Sequence, residues 1–302
     1  MNKQNSQISD RAMSQSDKEH MVSIPIEEWA DLRDVYRQDW PKGAYSYCGL
    51  DTYIQLSRKD LDLCKREVRI RSVDNNWREH GIFILDDHTD YSHIIRVDTC
   101  TSEHSSLFKL ALTYMDLESC DEIIFRETIA TTVRQYLQES GYPLKQDCYP
   151  RQLYYLSKED SLKLQIRENA DYNIKPLTLA DVEEVERFWL YKRKGSSYII
   201  RRNIKYNLTF GAYQRETGEL CAWVLLNELG CIGFLYVKEN YRRQGLAEHL
   251  VVHLCQALAK QDCDALAHIR DANVPSLKLF ERLGFKAIEY NYWFIKEDIF
   301  TE

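Results

Sequence analysis

The sequence predicts an α/β chain built from two copies of one fold. The order strand, helix, strand, helix, strand runs from about Tyr91 to Leu156 and returns from Cys231 to Ile295. With 302 residues, 44% hydrophobic and 12% aromatic, the chain has the size for about two domains, each with its own core. Charge narrows the function. A formal net charge of −7 argues against a general nucleic-acid binder, which usually shows a basic excess, although a local basic pocket is compatible with it.

Residues 1–20 are rich in Ser, Gln, Asp and Lys and read as disordered. From Ile26 the apolar spacing turns helical, with Trp29, Leu32, Val35 and Tyr36 on one face up to Pro41-Lys-Gly43, and a second helix is expected from Leu50 to Lys65. Strands follow at Glu67 to Val73, Gly81 to Asp86 and Tyr91 to Thr99, the last two joined by a turn at Asp86-Asp87-His88. Helices near Ser105 to Met115 and Ile129 to Glu139 then alternate with strands at Glu122 to Arg126 and Gln152 to Leu156. The charged stretch Ser157 to Ala170 separates the copies, giving a first domain over 21–160 and a second over 170–302.

In the second copy a strand at Asn173 to Pro176 leads to helices over Thr178 to Tyr191 and Ser197 to Lys205. Glu216-Thr-Gly-Glu219 is a hairpin signal between strands at Leu208 to Tyr213 and Leu220 to Leu226. A tight turn at Glu228-Leu-Gly230 precedes the strand Cys231 to Val237, and a helix runs on to about Lys260. After a strand at Ala265 to Ile269, a helix from Asn273 to Leu283 stops at Gly284, which suits a left-handed position beyond a helix end. Phe285 to Ile295 supplies one or two last strands, divided near Glu289 or Asn291.

The sharpest signal is the corner after Val237. Arg242-Arg-Gln-Gly-Leu-Ala247 places two arginines and Gly245 at a helix start, where unpaired backbone N–H groups and the positive end of the helix dipole can hold a diphosphate. Alone, Arg-x-x-Gly-x-Ala reads more plainly as a solvated arginine pair. The next strand and helix bring Asn273, Ser276, Phe280, Gly284 and Phe285 in the pattern Asn-x-x-Ser-x-x-x-Phe-x-x-x-Gly-Phe. Together the two motifs resemble the GNAT acyltransferase superfamily. The stretch from Phe188-Trp189 onward is similar to the glycine N-acyltransferase-like group with its FR47-like domain, through Ala222-Trp223, Glu239-Asn-Tyr-Arg242, His268 and Trp293.

That resemblance implies tandem GNAT-like folds, each a mixed central sheet flanked by helices, with the first copy degenerate. In the first copy Asp98-Thr-Cys-Thr-Ser-Glu-His104 replaces the cradle, with no glycine or arginine and two acids facing the would-be anion. The implied co-substrate is acyl-CoA or acetyl-CoA. Its pantetheine arm is expected along Leu235, Tyr236 and Val237 and its diphosphate on the N–H groups of Arg243, Gln244, Gly245, Leu246 and Ala247, with Arg242 adding charge and Asn273, Ser276 and Phe280 alongside. The implied reaction is direct transfer of an acyl group to the amine of a small acceptor such as an amino acid. A coenzyme A-binding protein without catalysis, or a peptide N-acetyltransferase, are the competing expectations.

The sequence departs from the group at the proton handlers. Cys231 falls where the relatives carry a general-base glutamate, and Phe280, which has no proton to give, where many hold a general-acid tyrosine. His268 is the expected substitute base, against a structural histidine; Glu228 reads as a solvated acid, and Tyr290 and Tyr292 as packing. His249 and His253 lack a third ligand, so no metal is expected. Nine cysteines without a Cys-x-x-Cys pair, a polar start and no long apolar run predict reduced thiols, no membrane span and a cytoplasmic protein, with a mitochondrial location raised only by the resemblance. Oligomeric state is left open.

Overall fold

The computed structural model describes residues 20–75, 77–102, 105–142, 149–166 and 169–296; the expected disordered stretch lies, up to residue 19, outside the described residues. Its strands are β1 (Met21–Ser23), β2 (Val68–Val73), β3 (Phe83–His88), β4 (His93–Asp98), β5 (Glu122–Arg126), β6 (Tyr149–Leu156), β7 (Tyr172–Lys175), β8 (Thr209–Gln214), β9 (Leu220–Leu226), β10 (Ile232–Val237), β11 (Ala265–Ile269) and β12 (Lys286–Ile295). They form one 12-stranded sheet in the order β1-β2-β3-β4-β5-β12-β6-β11-β10-β9-β8-β7. Within it β4/β5 and β10/β11 are parallel and the other neighbours antiparallel.

Read inward from both edges, each strand of the first half mirrors the strand six places later, as the repeat predicts. The last strand of each half is the exception. β12 seats beside β5, with Trp293 opposite Ile124, and β6 seats beside β11, with Leu153 opposite His268. The halves therefore exchange their final strands, and the sheet is continuous because β6 and β12 also pair with each other. β12 is one strand with a register shift between Ala287 and Glu289, where the sequence leaves a break.

Helices cover both faces. Leu246–Lys260 buries Leu246, Leu250, Val251, Leu254 and Leu258 along one stripe, packed with Leu279 and Phe280 of Val274–Arg282. Ser106–Leu112 and Ala130–Glu139 do the same for the first half. On the other face, Ala44, Tyr45 and Cys48 of the helix Ala44–Lys59 cover Ile124, Leu153, Leu266 and Trp293, which belong to the exchanged strands and their neighbours.

Three expectations change. The helix expected over Leu50 to Lys65 is two, because Asp60 leaves helical geometry and accepts the Leu63 N–H (3.1 Å) as a new cap. Asp86 and Asp87 are not a turn. They lie buried in β3, paired with Arg71 (2.7 Å) and Arg202, and the turn falls at Thr89 to Ser92. The helix expected to reach Tyr191 ends at Arg187, which releases Phe188 and Trp189. All cysteines among the described residues are free thiols, and no helix there is long and apolar enough to cross a membrane.

Candidate active site

β10 carries the irregularity on which the site depends. Against β9 its register runs Gly233 to Leu225 and then Tyr236 to Trp223, so one extra residue bulges outward, and Phe234 takes a left-handed φ of 54°. On its other side β10 pairs with β11 only at Ile232 and Ala267. Beyond that pair the two strands diverge.

A cavity of about 280 Å³ opens at this divergence. Leu235, Tyr236, His268, Asn273, Ser276 and Phe280, all expected near the ligand, line it together. Asn273 caps the helix Val274–Arg282, accepting the Ser276 N–H (3.3 Å), and so fixes both residues at the cavity edge. Phe188 and Trp189 form its apolar roof, Phe188 stacking on Tyr236 (5.1 Å) and Trp189 lying tilted against Phe234 (4.7 Å).

The cradle lies at the next corner, outside the cavity lining. Gly245 precedes the helix Leu246–Lys260 at φ 80° with no side-chain cap, and the first bond into the helix runs from His249 N–H to Gly245 O (3.1 Å). The N–H groups before His249 thus stand at an uncapped helix start. Arg243 is also left-handed, at φ 63°, and alternation of left-handed with ordinary residues turns successive N–H groups to one side as an anion nest. Arg243, Gln244 and Gly245 are exposed, whereas the Leu246 side chain is buried, so only its backbone faces the corner. Arg242 folds back, donating to Val237 O (3.2 Å) and pairing with Glu239 (3.4 Å); Gln244 accepts from the Tyr172 hydroxyl (2.6 Å).

The proton handlers differ from expectation. Cys231 is fully buried beneath the helix Ala44–Lys59 and does not line the cavity; burial pushes its thiol pKa far up, which removes it as a base or acyl carrier. His268 does line the cavity, but both ring nitrogens are buried without partners, between the edges of Tyr45 (5.0 Å) and Trp293 (4.7 Å). Burial, with Arg151 and Arg96 nearby, drops its pKa well below the ordinary histidine value. It is therefore neutral and weakly basic.

Glu228 stands in the cavity wall, half-buried, rather than in solvent. Its turn is pressed inward, since a side chain on Gly230 would meet the Cys48 backbone at 2.6 Å, and Asn203 of the helix Ser196–Tyr206 donates to its carboxylate (3.0 Å). Three charged side chains escaped the sequence reading: Glu122, Arg151 and Arg270 also line the cavity, as does Arg193, which is ion-paired to Glu122. Glu122 and Arg151 come from the first half, and nothing in the local pattern of β5 or β6 announces that they face a site in the second. His253 Nδ1 bonds to its own helix at His249 O (2.8 Å), and no cluster able to hold a metal occurs among the described residues.

The chain is similar to known proteins in part of its sequence and in its fold. Residues 209–294 match a family model described as FR47-like protein. Human glycine N-acyltransferase-like protein 2 is 29% identical over 103 residues, 34% of this chain and 35% of the relative, so the chain spans about a third of that protein's length. An X-ray structure of a Drosophila melanogaster protein superposes with a TM-score of 0.77 at 18% identity, over 91% of this chain and 98% of that one. A tandem GNAT protein from the clavulanic acid biosynthesis pathway does so with a TM-score of 0.55 at 12% identity, over 93% and 99% of the two chains. The matched region falls on the bulged strand, the cradle and the following helix, so residues 209–294 are similar to the FR47-like family, and the fold around them is that of the tandem GNAT protein.

Proposed function

We propose that the protein is an acyl-CoA-dependent N-acyltransferase acting on the amine of a small acceptor. The observation that carries this reading is the divergence of β10 from β11, which leaves strand backbone unpaired between an open cavity and an uncapped helix start. Unpaired strand backbone can hold the amide-bearing pantetheine arm, and the anion nest suits its diphosphate. The acyl thioester then supplies the activated carbonyl at the bulge, and the chain's own residues have to orient the amine and remove its proton.

Glu228 is the proton acceptor in this reading, since it is the cavity carboxylate not ion-paired to an arginine. The ammonium gives one proton to Glu228, and the freed nitrogen lone pair forms the C–N bond at the carbonyl carbon. The C–S bond breaks, and the departing thiolate takes up a second nitrogen proton as the amide forms. His268 stays neutral and shapes the wall.

Thiol release from acetyl-CoA and benzoyl-CoA, measured against pooled amino acids and polyamines, tests the reading. Glu228→Gln is expected to lower kcat/KM by roughly 10²–10⁴-fold while leaving the stabilisation of the fold by coenzyme A intact. No thiol release with any acceptor, alongside a normal thermal shift with coenzyme A, would leave a coenzyme-binding protein without catalysis.

A further inference from the structure

Arg151 is a cavity cation with no ion-paired carboxylate among the described residues. It stands on β6, the strand that the first half inserts beside β11. Its guanidinium lies over the Trp293 ring (4.3 Å) and nearer the edge of reach of Tyr191 (5.4 Å), so aromatic faces fix its plane. Its Nε is buried without an acceptor, and no carboxylate among the described residues pairs with it. The other cavity arginines differ: Arg193 is neutralised by Glu122, and Arg270 reaches the Tyr191 hydroxyl (3.4 Å). Burial, with Arg270 nearby, lowers the Arg151 pKa, the expected sign for a cation withdrawn from water without an anion. A planar fork held by aromatic rings and open at its edge is complementary to a carboxylate.

We infer that Arg151, delivered by the exchanged strand, binds the carboxylate of the acceptor and makes the site selective for amines that also carry a carboxyl group. The inference rests on the acyltransferase reading above. It assigns the carboxylate to the acceptor and not to the acyl chain because the same cavity holds Glu228. An acid for the ammonium and a guanidinium for the carboxylate match a zwitterion. A carboxylated acyl chain would use the guanidinium alone.

The test compares full-length wild type with Arg151→Gln on matched pairs: glycine with methylamine and phenylalanine with phenethylamine, each with acetyl-CoA, and acetyl-CoA with succinyl-CoA. Wild type is expected to favour the carboxylated amines at least tenfold in kcat/KM, through KM. Arg151→Gln should erase that preference while keeping its coenzyme A thermal shift and its rate with the simple amines, and Arg151→Lys should restore it in part. An unchanged preference in Arg151→Gln overturns the inference, as does wild type with no preference. So does a preference for succinyl-CoA that Arg151→Gln removes. A second readout needs no turnover: wild type should bind N-acetylphenylalanine at least tenfold more tightly than N-acetylphenethylamine by calorimetry, and Arg151→Gln should bind both alike. Equal binding by wild type overturns the inference even where thiol release is absent, and absent thiol release with selective binding counts against the enzyme reading alone.

Discussion

The corner after β4 and the corner after β10 occupy equivalent places in the two halves, yet one is sealed and the other open. β4 keeps three ladder pairs with β5, at Ile94, Ile95 and Arg96, where β10 keeps one with β11. The helix after β4, Ser106–Leu112, is capped by Ser105, which accepts the Phe108 N–H (3.1 Å); the helix after β10 has Gly245 and no cap. Beside the sealed corner sits a buried ionic cluster. Arg126 pairs with Asp98 (2.8 Å), reaches Glu289 of the exchanged strand (3.7 Å) and donates to Thr99 O (3.3 Å), while Ser46 donates to Asp98. Asp98, which the sequence sets against a would-be anion, is in fact consumed inside the protein; residue 103, the other acid, lies outside the described residues. A corner that leaves strand and helix ends unsatisfied keeps them free for a ligand, and one that satisfies them itself serves as scaffold.

Removing the seal is the harshest way to test that contrast. Arg126→Met leaves Asp98 and Glu289 buried without their cation and is expected to cost about 3–5 kcal/mol in urea unfolding. The coenzyme A thermal shift should survive in whatever folds, and a variant as stable as wild type would show that the cluster does not seal the half. Glu289 gives a gentler probe. Burial, with Asp98 adding and Arg126 opposing, pushes its carboxyl from the ordinary 4.5 up to about 7. Because the unfolded state ionises first, wild type should lose stability relative to Glu289→Gln as pH rises from about 4.5 to about 7, by up to about 3 kcal/mol in all, with no further change above that range. A stability difference that stays flat across that range would place Glu289 in contact with water.

The two helix starts complete the series. Gly245→Ala forces a side chain into a left-handed conformation at about 1–2 kcal/mol and should weaken coenzyme A binding at least tenfold. Ser105→Ala should cost about 1 kcal/mol and leave coenzyme A binding unchanged. If both variants affected binding equally, the corners would not differ in function.

The sequence makes the open corner legible because its chemistry is local. Gly245 and Gly284 stand where left-handed backbone is required, and Asn273 stands where a cap is required. The strands Glu122–Arg126, Leu220–Leu226 and Ala265–Ile269 announce themselves by short apolar runs between turn signals. Strand exchange has no such signature, since the alternation that marks β6 or β12 as a strand is silent about its neighbour. Arg151 follows β6 into the wrong half for any local reading. Glu228 looks solvated because tight turns usually are, and only the helix Ala44–Lys59, nearly two hundred residues earlier by rough count, presses that turn inward.

The exchanged strands also set a timetable for folding. Tyr290 N–H and the Glu127 carboxylate meet across 163 residues of chain, and Lys158 N–H and Asp264 across 106. Until β12 leaves the ribosome, β5 offers Ile123, Ile124 and Phe125 along an open strand edge, a template for pairing with other chains. The first half cannot close before the second is made. The pairing that completes the first half thus joins residues far apart in the chain, the kind of contact that forms slowly.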